Sequence, residues 1–422
     1  MPAEDTKSLI AKVKGLVERK GLKHDKSGKG YYTGYGDDLY DWELYFDCIA
    51  LAYFGAETYT TSGTHHFLSN ERENGFIARH INMTARPNFW RHFEDEEHCK
   101  PFLCQSSLIV SRMGGDASWL GREEFRKLRR YVDHWLLAWD EDGSGLSEWS
   151  SAPHSGADTQ IERVGVWGSR FCEGVDLNCY LYRECLAAMR LAEALELKDD
   201  AAHFYEQAEK KKSKIQELLW DDREGFFYDR DIRTGKPIRV KSAATFIPLW
   251  AGIATKEQAR ALVERHLKNP GEFWTPYPVS SYARSEPSYT QFYEPSPGAD
   301  RSYVLNPGHA NWCGGMWPHW NYFIAHGLKD YGYGEEALHI AERFYRVVAA
   351  DPGLYEWYDA EAGKGQGLHP FCAGATVLGA ILHTELRLDF DPTRAEKVQE
   401  KLDFTRIRQE VGIEGTLFKT SP

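Results

Sequence analysis

The stretch from Asp140 to Arg163, DEDGSGLSEWSSAPHSGADTQIER, holds more carboxylates and aromatic rings than a plain connection between helices requires. Asp158 follows Ser155-Gly156-Ala157, a tripeptide that permits an unusual backbone turn and so fixes the direction of the next side chain. Nearby rings such as Trp149 and Trp167 would desolvate the carboxyl group and raise its pKa toward neutrality, as a general acid requires. An Asp beside a Gly is, however, also a common turn or helix-capping residue.

A second loop, DPGLYEWYDAEAGKGQGLHPF at 351–371, places Glu356 between Tyr355 and Trp357. The flanking rings and the glycine-rich turn that follows would hold this carboxylate at the floor of a pocket, where it could activate a water molecule as a base. Two carboxylates on separate loops are the arrangement used in glycoside hydrolysis, where one donates a proton and the other attacks or activates water.

Other uses of these and neighbouring residues stay open. Asp140, Asp142, Ser144 and Glu148 have the spacing of a calcium loop with Gly145 at the turn, but no Glu stands at the twelfth position, so a plain turn is favoured over a structural Ca²⁺. A sugar epimerase would use histidines as its acid and base, and the candidates are His319, His326 and His369. A protein that only binds a carbohydrate is the remaining alternative.

Composition narrows the class of protein. The net charge of -12 disfavours a nucleic-acid surface, because phosphate binding needs clustered Lys and Arg. No stretch approaches the roughly 20 apolar residues of a membrane span, and Met1 leads into a charged amphipathic helix without the apolar region of a signal peptide. The eight Cys form no CxxC pair and no regular framework, which is typical of reduced thiols. We therefore expect a soluble cytoplasmic protein that requires no cofactor and whose partner is a small molecule; the sequence does not indicate an oligomeric state.

Helical periodicity recurs along the whole chain and indicates about twelve helices with no convincing alternating strands. The predicted ranges are 7–19, 40–53, 101–113, 122–139, 176–195, 201–219, 243–251, 256–267, 316–328, 335–348, 371–385 and 392–408. Long loops at 28–38, 55–75, 140–174, 270–315 and 351–370 separate them. This pattern fits a single all-α domain over 1–422, an (α/α)6 barrel whose long loops converge at one rim.

Several segments, in order along the chain, resemble glycoside hydrolase family 63, especially its small cytoplasmic mannosylglycerate and glucosylglycerate hydrolases, with trehalases more distant. They are YDWELYFDCIAL (40–51), ENGFIARH (73–80), KPFLCQ (100–105), GLSEW and SGADTQIER in the first loop, VDLNCYLY (175–182), FWTPYPVSSYA (273–283), NWCGGMWPHWNYFIAHGL (311–328) and LYEWYDAEAGKGQG. The resemblance implies that Asp158 is the general acid and Glu356 the general base of an inverting α-glycosidase acting on a small soluble glycoside, with carboxyl groups roughly 6.5 to 9.5 Å apart.

The resemblance also implies which side chains bind the substrate. The predicted contacts are Trp42, Tyr40, Gln105, Arg163, Trp312, Trp317, Trp357 and Tyr277. If the leaving group is glycerate, its carboxylate calls for an arginine fork, for which Arg79, Arg163, Arg284 and Arg301 are candidates. The chain departs from the family pattern where an Arg and a Pro are replaced by Cys313 and Gly315, and where the helix start Phe371-Cys372-Ala373-Gly374 lacks the family's Trp. The identity of the sugar and of the leaving group therefore stays open.

Overall fold

The computed structural model describes residues 3–34, 36–84, 96–291 and 311–414. Its α-helices, in chain order, are α1 (Ala3–Leu16), α2 (Asp41–Phe54), α3 (Glu57–Ser69), α4 (Leu103–Gly114), α5 (Arg122–Ala138), α6 (Ala152–Ser155), α7 (Ile161–Val164), α8 (Val175–Ala194), α9 (Lys198–Leu218), α10 (Ile247–Ala251), α11 (Lys256–Ala261), α12 (Pro318–Asp330), α13 (Gly334–Ala350), α14 (Gly374–Leu378), α15 (Leu382–Leu388) and α16 (Thr405–Val411). A 3-10 turn at Ala243–Phe246 precedes α10, and π-helical turns at Val17–Gly21 and Leu262–Leu267 follow α1 and α11.

Among the described helices, six form a closed inner ring. Along the chain, α2 packs against α4, α4 against α8, α8 against α10, α10 against α12 and α12 against α14, and α14 returns to α2. These helices are apolar on nearly all sides, which is the property of helices surrounded by protein. In α2, for example, every side chain except that of Glu43 is buried. The predicted (α/α)6 barrel is confirmed.

The outer helices have one apolar stripe each. In α5 only Phe125, Leu128, Tyr131, Val132 and Trp135 are buried, at the three- and four-residue spacing that faces a helix toward the core. Helices α9 and α13 likewise cover α8 and α12 from outside. Because each inner helix follows an outer helix, the loops that lead into the inner helices meet at one rim, and both candidate carboxylates lie in such loops.

Within the described ranges, the loops contain eleven strands of two or three residues, which pair with one another. They are β1 (Leu22–His24), β2 (Gly30–Tyr32), β3 (Leu39–Tyr40), β4 (His80–Ile81), β5 (Cys172–Glu173), β6 (Trp220–Asp221), β7 (Phe226–Phe227), β8 (Arg230–Asp231), β9 (Lys236–Pro237), β10 (Trp357–Tyr358) and β11 (Gly365–Gln366). They pair in antiparallel fashion: β1 with β2, β3 with β4, β6 with β7, β10 with β11, and the three-stranded order β5-β8-β9.

Two predicted ranges are wrong. The segment at 55–75, predicted as a loop, contains helix α3. The helix predicted at 392–408 consists of turns and irregular chain up to residue 404, and only α16 is helical at its end. All eight cysteines are buried free thiols, as predicted. Among the described residues, no helix combines the length and the apolar character that crossing a membrane requires.

Candidate active site

Asp158 lies in the loop that leads into α8. Ser151 caps the N-terminus of the short helix α6, where its hydroxyl accepts from the backbone N–H of His154 (3.0 Å), and Gly156, with a positive φ of 82°, caps the C-terminus. A Cβ atom at Gly156 would lie 2.4 Å from the ring of Trp42, so only glycine lets the turn pack on that indole. The predicted special turn is present, and it places Asp158 next to the first turn of α2.

Glu356 lies at the start of the β10–β11 hairpin. Its backbone N–H donates to Leu368 O (3.1 Å), and its Oε2 accepts from the N–H of Leu368 (2.8 Å). Tyr358 exchanges two backbone hydrogen bonds with Met316, which ties the hairpin to the residues that open α12. The hairpin therefore fixes both the backbone and the carboxylate of Glu356, which is 8% exposed.

Three of the described carboxyl groups share this pocket. Burial raises the pKa of Glu356 to about 8, and the charges of Asp158 and Glu43 contribute to that rise. Burial likewise raises the pKa of Asp158 to about 7, against the opposing effect of nearby cations. Glu43, in the first turn of α2, also has a pKa raised by burial to about 7. Since the charge of Glu43 acts on both Asp158 and Glu356, and that of Asp158 acts on Glu356, the structure brings Asp158 and Glu356 to the same site.

Two cations of the described chain face Asp158. Arg79 and Lys100 both lower the pKa of its carboxyl group. Arg79 Nη1 donates to Glu97 Oε2 (2.9 Å), and Lys100 Nζ donates to Asp41 Oδ1 (3.3 Å), so each cation is held by a carboxylate of its own. Among the described residues, no cation acts comparably on the pKa of Glu356.

Indole rings line the pocket. Trp312 stacks on Trp317 with ring centroids 3.9 Å apart, and Trp42 lies parallel to Trp312 at 5.6 Å. Trp357 lies 6.4 Å from Trp317 and so close to Gly315 that a Cβ there would be 2.6 Å from the ring. The Nε1–H groups of Trp42 and Trp312 are buried and have no hydrogen-bond partner in the described structure. Burying a donor without a partner costs free energy.

The remaining predicted contacts are Tyr40, Tyr277 and Gln105. Tyr40 precedes α2, with its ring 4.6 Å from that of His80. Tyr277 packs against Gly363 of the β10–β11 hairpin. Gln105 lies in the first turn of α4, where its Nε2 donates to Pro101 O (2.8 Å) and Tyr180 O (3.3 Å) and its Oε1 is buried without a partner among the described residues.

The structure gives Arg163 a different role from the predicted one. Its guanidinium is fully buried and donates to Asp229, to Asp176 Oδ1 (2.7 Å) and to Gln160 Oε1 (3.2 Å). With every nitrogen committed, this side chain clamps the loop to α8 and cannot reach the pocket. This corrects the prediction that it binds substrate.

Of the other arginines proposed for a glycerate group, Arg79 lies beside Asp158 and Arg284 is committed elsewhere. Arg284 Nε donates to Glu361 Oε1 (2.7 Å) and its Nη1 to Pro270 O (2.6 Å). Arg301 lies outside the described residues.

The oxygens of the calcium-like loop already have partners. Asp142 Oδ2 accepts from Arg230 (2.9 Å), Glu148 Oε1 accepts from Arg170 (3.0 Å), and Asp140 Oδ2 accepts from the N–H of Gly145 (3.1 Å). In the part of the chain that the structure describes, no cluster of three or more His, Cys, Asp or Glu side chains is arranged to hold a metal ion. The donor set therefore does not fit calcium, because cations of the chain itself neutralise it.

The three candidate histidines do not form an acid–base pair. His326 binds Glu385 (2.8 Å), and His369 stacks on Tyr355 with centroids 4.2 Å apart. Of the three, His319 adjoins the pocket, where burial lowers its pKa to about 3, so the ring is neutral.

Two groups at the site lay outside the predicted set. Glu43 adjoins Trp42 in the sequence, but an acidic residue in the first turn of a helix is the ordinary complement of the helix dipole and carries no signal of its own. Lys100 begins KPFLCQ, a segment that resembles the family without giving the lysine a role of its own. A pocket-facing position becomes visible only when the six inner helices close into a ring.

The profile of the "Mannosylglycerate hydrolase MGH1-like glycoside hydrolase domain" matches residues 37–372. Mannosylglycerate hydrolases from Rubrobacter radiotolerans and Thermus thermophilus are 31% and 30% identical over 198 and 164 residues. These matches span 46% and 38% of this chain but only 40% and 34% of the two relatives, well under their full length.

Solved structures share the fold. The crystal structure of a GH63 mannosylglycerate hydrolase from Thermus thermophilus in complex with glucose superposes with a TM-score of 0.70 at 19% identity, covering 88% of this chain and 99% of that one. The neutral trehalase from Saccharomyces cerevisiae gives a TM-score of 0.61 at 19% identity, covering 95% and 85%. Because the family profile matches most of the chain, the protein belongs to the mannosylglycerate hydrolase MGH1-like glycoside hydrolase family, in agreement with the resemblance of its motifs.

Proposed function

We propose that this protein is an inverting α-glycosidase that hydrolyses a small α-glucoside or α-mannoside, such as glucosylglycerate or mannosylglycerate. The observation that carries the proposal is the pair Asp158 and Glu356, two buried carboxyl groups from separate loops whose charges interact in a pocket lined by indole rings. The names of the relatives support the substrate class.

The inverting mechanism rests on the family motifs in which Asp158 and Glu356 lie. In the described structure no hydrogen bond joins the two carboxyl groups, yet the charge of Asp158 still raises the pKa of Glu356. An inverting pair, roughly 6.5 to 9.5 Å apart, leaves room for a water molecule between the base and the anomeric carbon, whereas a retaining enzyme needs carboxyl groups about 5 Å apart. Asp158 would protonate the glycosidic oxygen, and Glu356 would take a proton from the water that attacks the opposite face.

The charges around the pair favour the ionised form of Asp158 more than that of Glu356. Arg79 and Lys100 stabilise the ionised form of Asp158, and Glu356 has no comparable neighbour among the described residues. The pKa of Glu356 is therefore raised further than that of Asp158, to about 8 against about 7. A substrate that fills the pocket must reverse this order if Asp158 is the acid. The positions of both residues in the family motifs support that assignment.

The leaving group would lie on the side of Asp158. An anionic leaving group such as glycerate would find Arg79 there, a partly buried cation. The net charge of -12 disfavours nucleic acid as a partner, and the eight free thiols support a reducing, cytoplasmic location. We propose no metal in the mechanism.

The test is a screen of α-linked glucosides and mannosides, with glycerate, glycerol or a second sugar as the leaving group. NMR of the first minutes of reaction should show the β-anomer of the released hexose appearing before mutarotation. If the α-anomer appears first, the enzyme retains configuration and Glu356 is a nucleophile. Isomerised sugar without hydrolysis would indicate an epimerase, and binding without turnover would indicate a carbohydrate-binding protein.

A further inference from the structure

His319 is a buried polar residue that the proposed chemistry leaves unused. It lies in the first turn of α12, is 1% exposed, and neither ring nitrogen has a hydrogen-bond partner in the described structure. A buried imidazole without partners gives up its hydrogen bonds to water and gains none from the protein. This costs free energy, and natural proteins seldom retain such a group. The position therefore needs a functional or structural explanation.

Aromatic rings enclose this imidazole on several sides. Its ring centroid lies 4.6 Å from that of Trp42, 5.0 Å from Phe46, 6.2 Å from Trp317 and 6.4 Å from Phe371. These residues form an apolar cage that offers the imidazole no hydrogen-bond acceptor of its own. A larger hydrophobic residue would satisfy such a cage better than histidine does.

The carboxylate of Glu43 lies near this imidazole. Nε2 of His319 lies 3.9 Å from Oε1 of Glu43, beyond hydrogen-bond length but within about 1 Å of it. The Glu43 side chain is 15% exposed, and its charge acts on both Asp158 and Glu356. His319 thus stands directly behind a carboxylate that faces the reacting pair.

We propose that His319 is the positioning residue of Glu43: when a sugar enters the pocket, the neutral imidazole donates its Nε2–H to Oε1 and fixes the rotamer in which Glu43 accepts a sugar hydroxyl. The inference rests on the proposed function, because it assumes that a hexose ring occupies this pocket. A neutral imidazole suits the role, since it donates one hydrogen bond without adding a charge beside the three carboxyl groups. It also explains why a polar ring occupies the cage.

The test is a double-mutant cycle between His319→Phe and Glu43→Gln. Phe keeps a ring in the cage and removes the donor. We expect His319→Phe to lower kcat/KM roughly 10- to 100-fold in the wild-type background and by less than about 3-fold in the Glu43→Gln background. His319→Gln, which retains an N–H donor, should recover part of the loss. Phe46→Leu is the control, because it disturbs the same cage without removing a polar atom, and its effect should be the same in both backgrounds.

A binding measurement separates this inference from the proposed function. Wild type, both single variants and the double variant are titrated with free glucose, mannose and their monodeoxy analogues, with tryptophan fluorescence as the signal. We expect His319→Phe and Glu43→Gln to abolish discrimination at the same single hydroxyl. If glycosides are hydrolysed but the two substitutions act additively, the role of His319 is wrong and the hydrolase proposal stands. If no glycoside is hydrolysed but the coupling persists in hexose binding, the hydrolase proposal fails and the role of His319 stands. Failure of every hexose to bind overturns the inference.

Discussion

A buried histidine lies near a glutamate at each end of the barrel, but only one of the two histidines has a hydrogen-bond partner in the described structure. At the rim, Glu43 and His319 lie 3.9 Å apart, with the imidazole unpartnered among the described residues. Seven residues further along α12, about 10 Å along its axis, His326 donates to Glu385 at 2.8 Å. Glu385 also accepts from the hydroxyl groups of Tyr53 and Tyr322.

The pKa shifts follow that difference. Burial lowers the pKa of His326, but the carboxylates of Asp391 and Glu385 more than offset this and raise the pKa above its usual value. The ring is therefore stabilised as a cation. At the rim, burial lowers the pKa of His319 and raises the pKa values of Asp158, Glu356 and Glu43. At the end of the barrel opposite the rim, the hydrogen bonds of His326 and Glu385 form a closed network that stabilises the barrel. At the rim, hydrogen-bonding groups remain for a ligand.

Substitution of the two carboxyl groups at the rim should have the largest effect, and that effect is on turnover. Asp158→Asn and Glu356→Gln should each lower kcat by ~10²- to 10⁴-fold, because each removes a positioned proton donor or acceptor. The two variants should differ with activated substrates. A glycoside whose leaving group needs no protonation should restore turnover by the acid variant only. Added azide should restore only the base variant, through attack on the anomeric carbon that yields the β-glycosyl azide.

Reversal of those two rescues would exchange the roles of the residues. Retention of near-normal kcat by either variant would remove that residue from the mechanism. Circular dichroism of both variants is the control for folding, and neither substitution changes the volume of its side chain appreciably.

Stability should respond in opposite directions at the two ends. His326→Leu should lower the free energy of unfolding by about 3–5 kcal/mol, because it leaves Glu385 buried without its cationic partner. Glu356→Gln should raise it by about 1–3 kcal/mol at pH 7, because it removes a carboxylate that is ionised only at a cost. Urea denaturation of both variants beside wild type measures the pair of effects.

The pH dependence of the same measurement sharpens the contrast. His326 has a raised pKa in the folded state, so its stabilisation is fully present below about pH 6.5 and is lost as the pH rises through the folded value. Glu356 has a folded pKa of about 8, so its destabilisation is absent below about pH 4.3 and grows until about pH 8. A gain of stability in Glu356→Gln that is equal at about pH 5 and about pH 8 would contradict this account of the rim.

The sequence predicts the barrel well because the inner helices are apolar on all sides, but two segments show where local pattern fails. Helix α3 is rich in Thr, Ser and Gly, which favour other structures, and it becomes helical where Gly63 packs against Leu44 of α2. The segment at 392–404 has helical periodicity, yet Arg112 takes the carbonyl oxygens of Arg394 (3.0 Å) and Glu400 (3.1 Å) that a helix would use. Both outcomes depend on residues distant in the chain.

The candidate site divides in the same way. Asp158 and Glu356 stand out because glycine turns and rings flank them within a few residues. Arg163 resembles a substrate ligand for the same local reason, but its partner Asp229 lies 66 residues away. Local sequence shows which side chains could do chemistry, while long-range pairing decides which of them remain available.

A smaller effect should follow from the cations beside Asp158. We expect kcat/KM to follow a bell-shaped pH profile with apparent pKa values of about 7 and about 8, which belong to the coupled pair. Arg79→Met should raise the value associated with Asp158 by roughly 1 unit, because Arg79 stabilises its ionised form. Arg79→Lys, which retains the charge, is the matched control. A profile unchanged by Arg79→Met would show that the guanidinium does not act on the acid.

The smallest effect concerns the loop that resembles a calcium site. Arg230 Nη1 donates to both Asp142 (2.9 Å) and Glu173 (2.5 Å). The guanidinium therefore already supplies the positive charge that Ca²⁺ would bring to these carboxylates. Neither Ca²⁺ nor a chelator should therefore shift the Tm of the wild-type protein. Arg230→Gln should lower the free energy of unfolding by about 1 kcal/mol, because the buried carboxylate of Glu173 and the partly buried carboxylate of Asp142 then repel each other. If Ca²⁺ raises the Tm of Arg230→Gln but not of wild type, the loop can bind the ion once its arginine is gone, and a Ca²⁺-dependent rise in the wild type would show that the ion displaces Arg230.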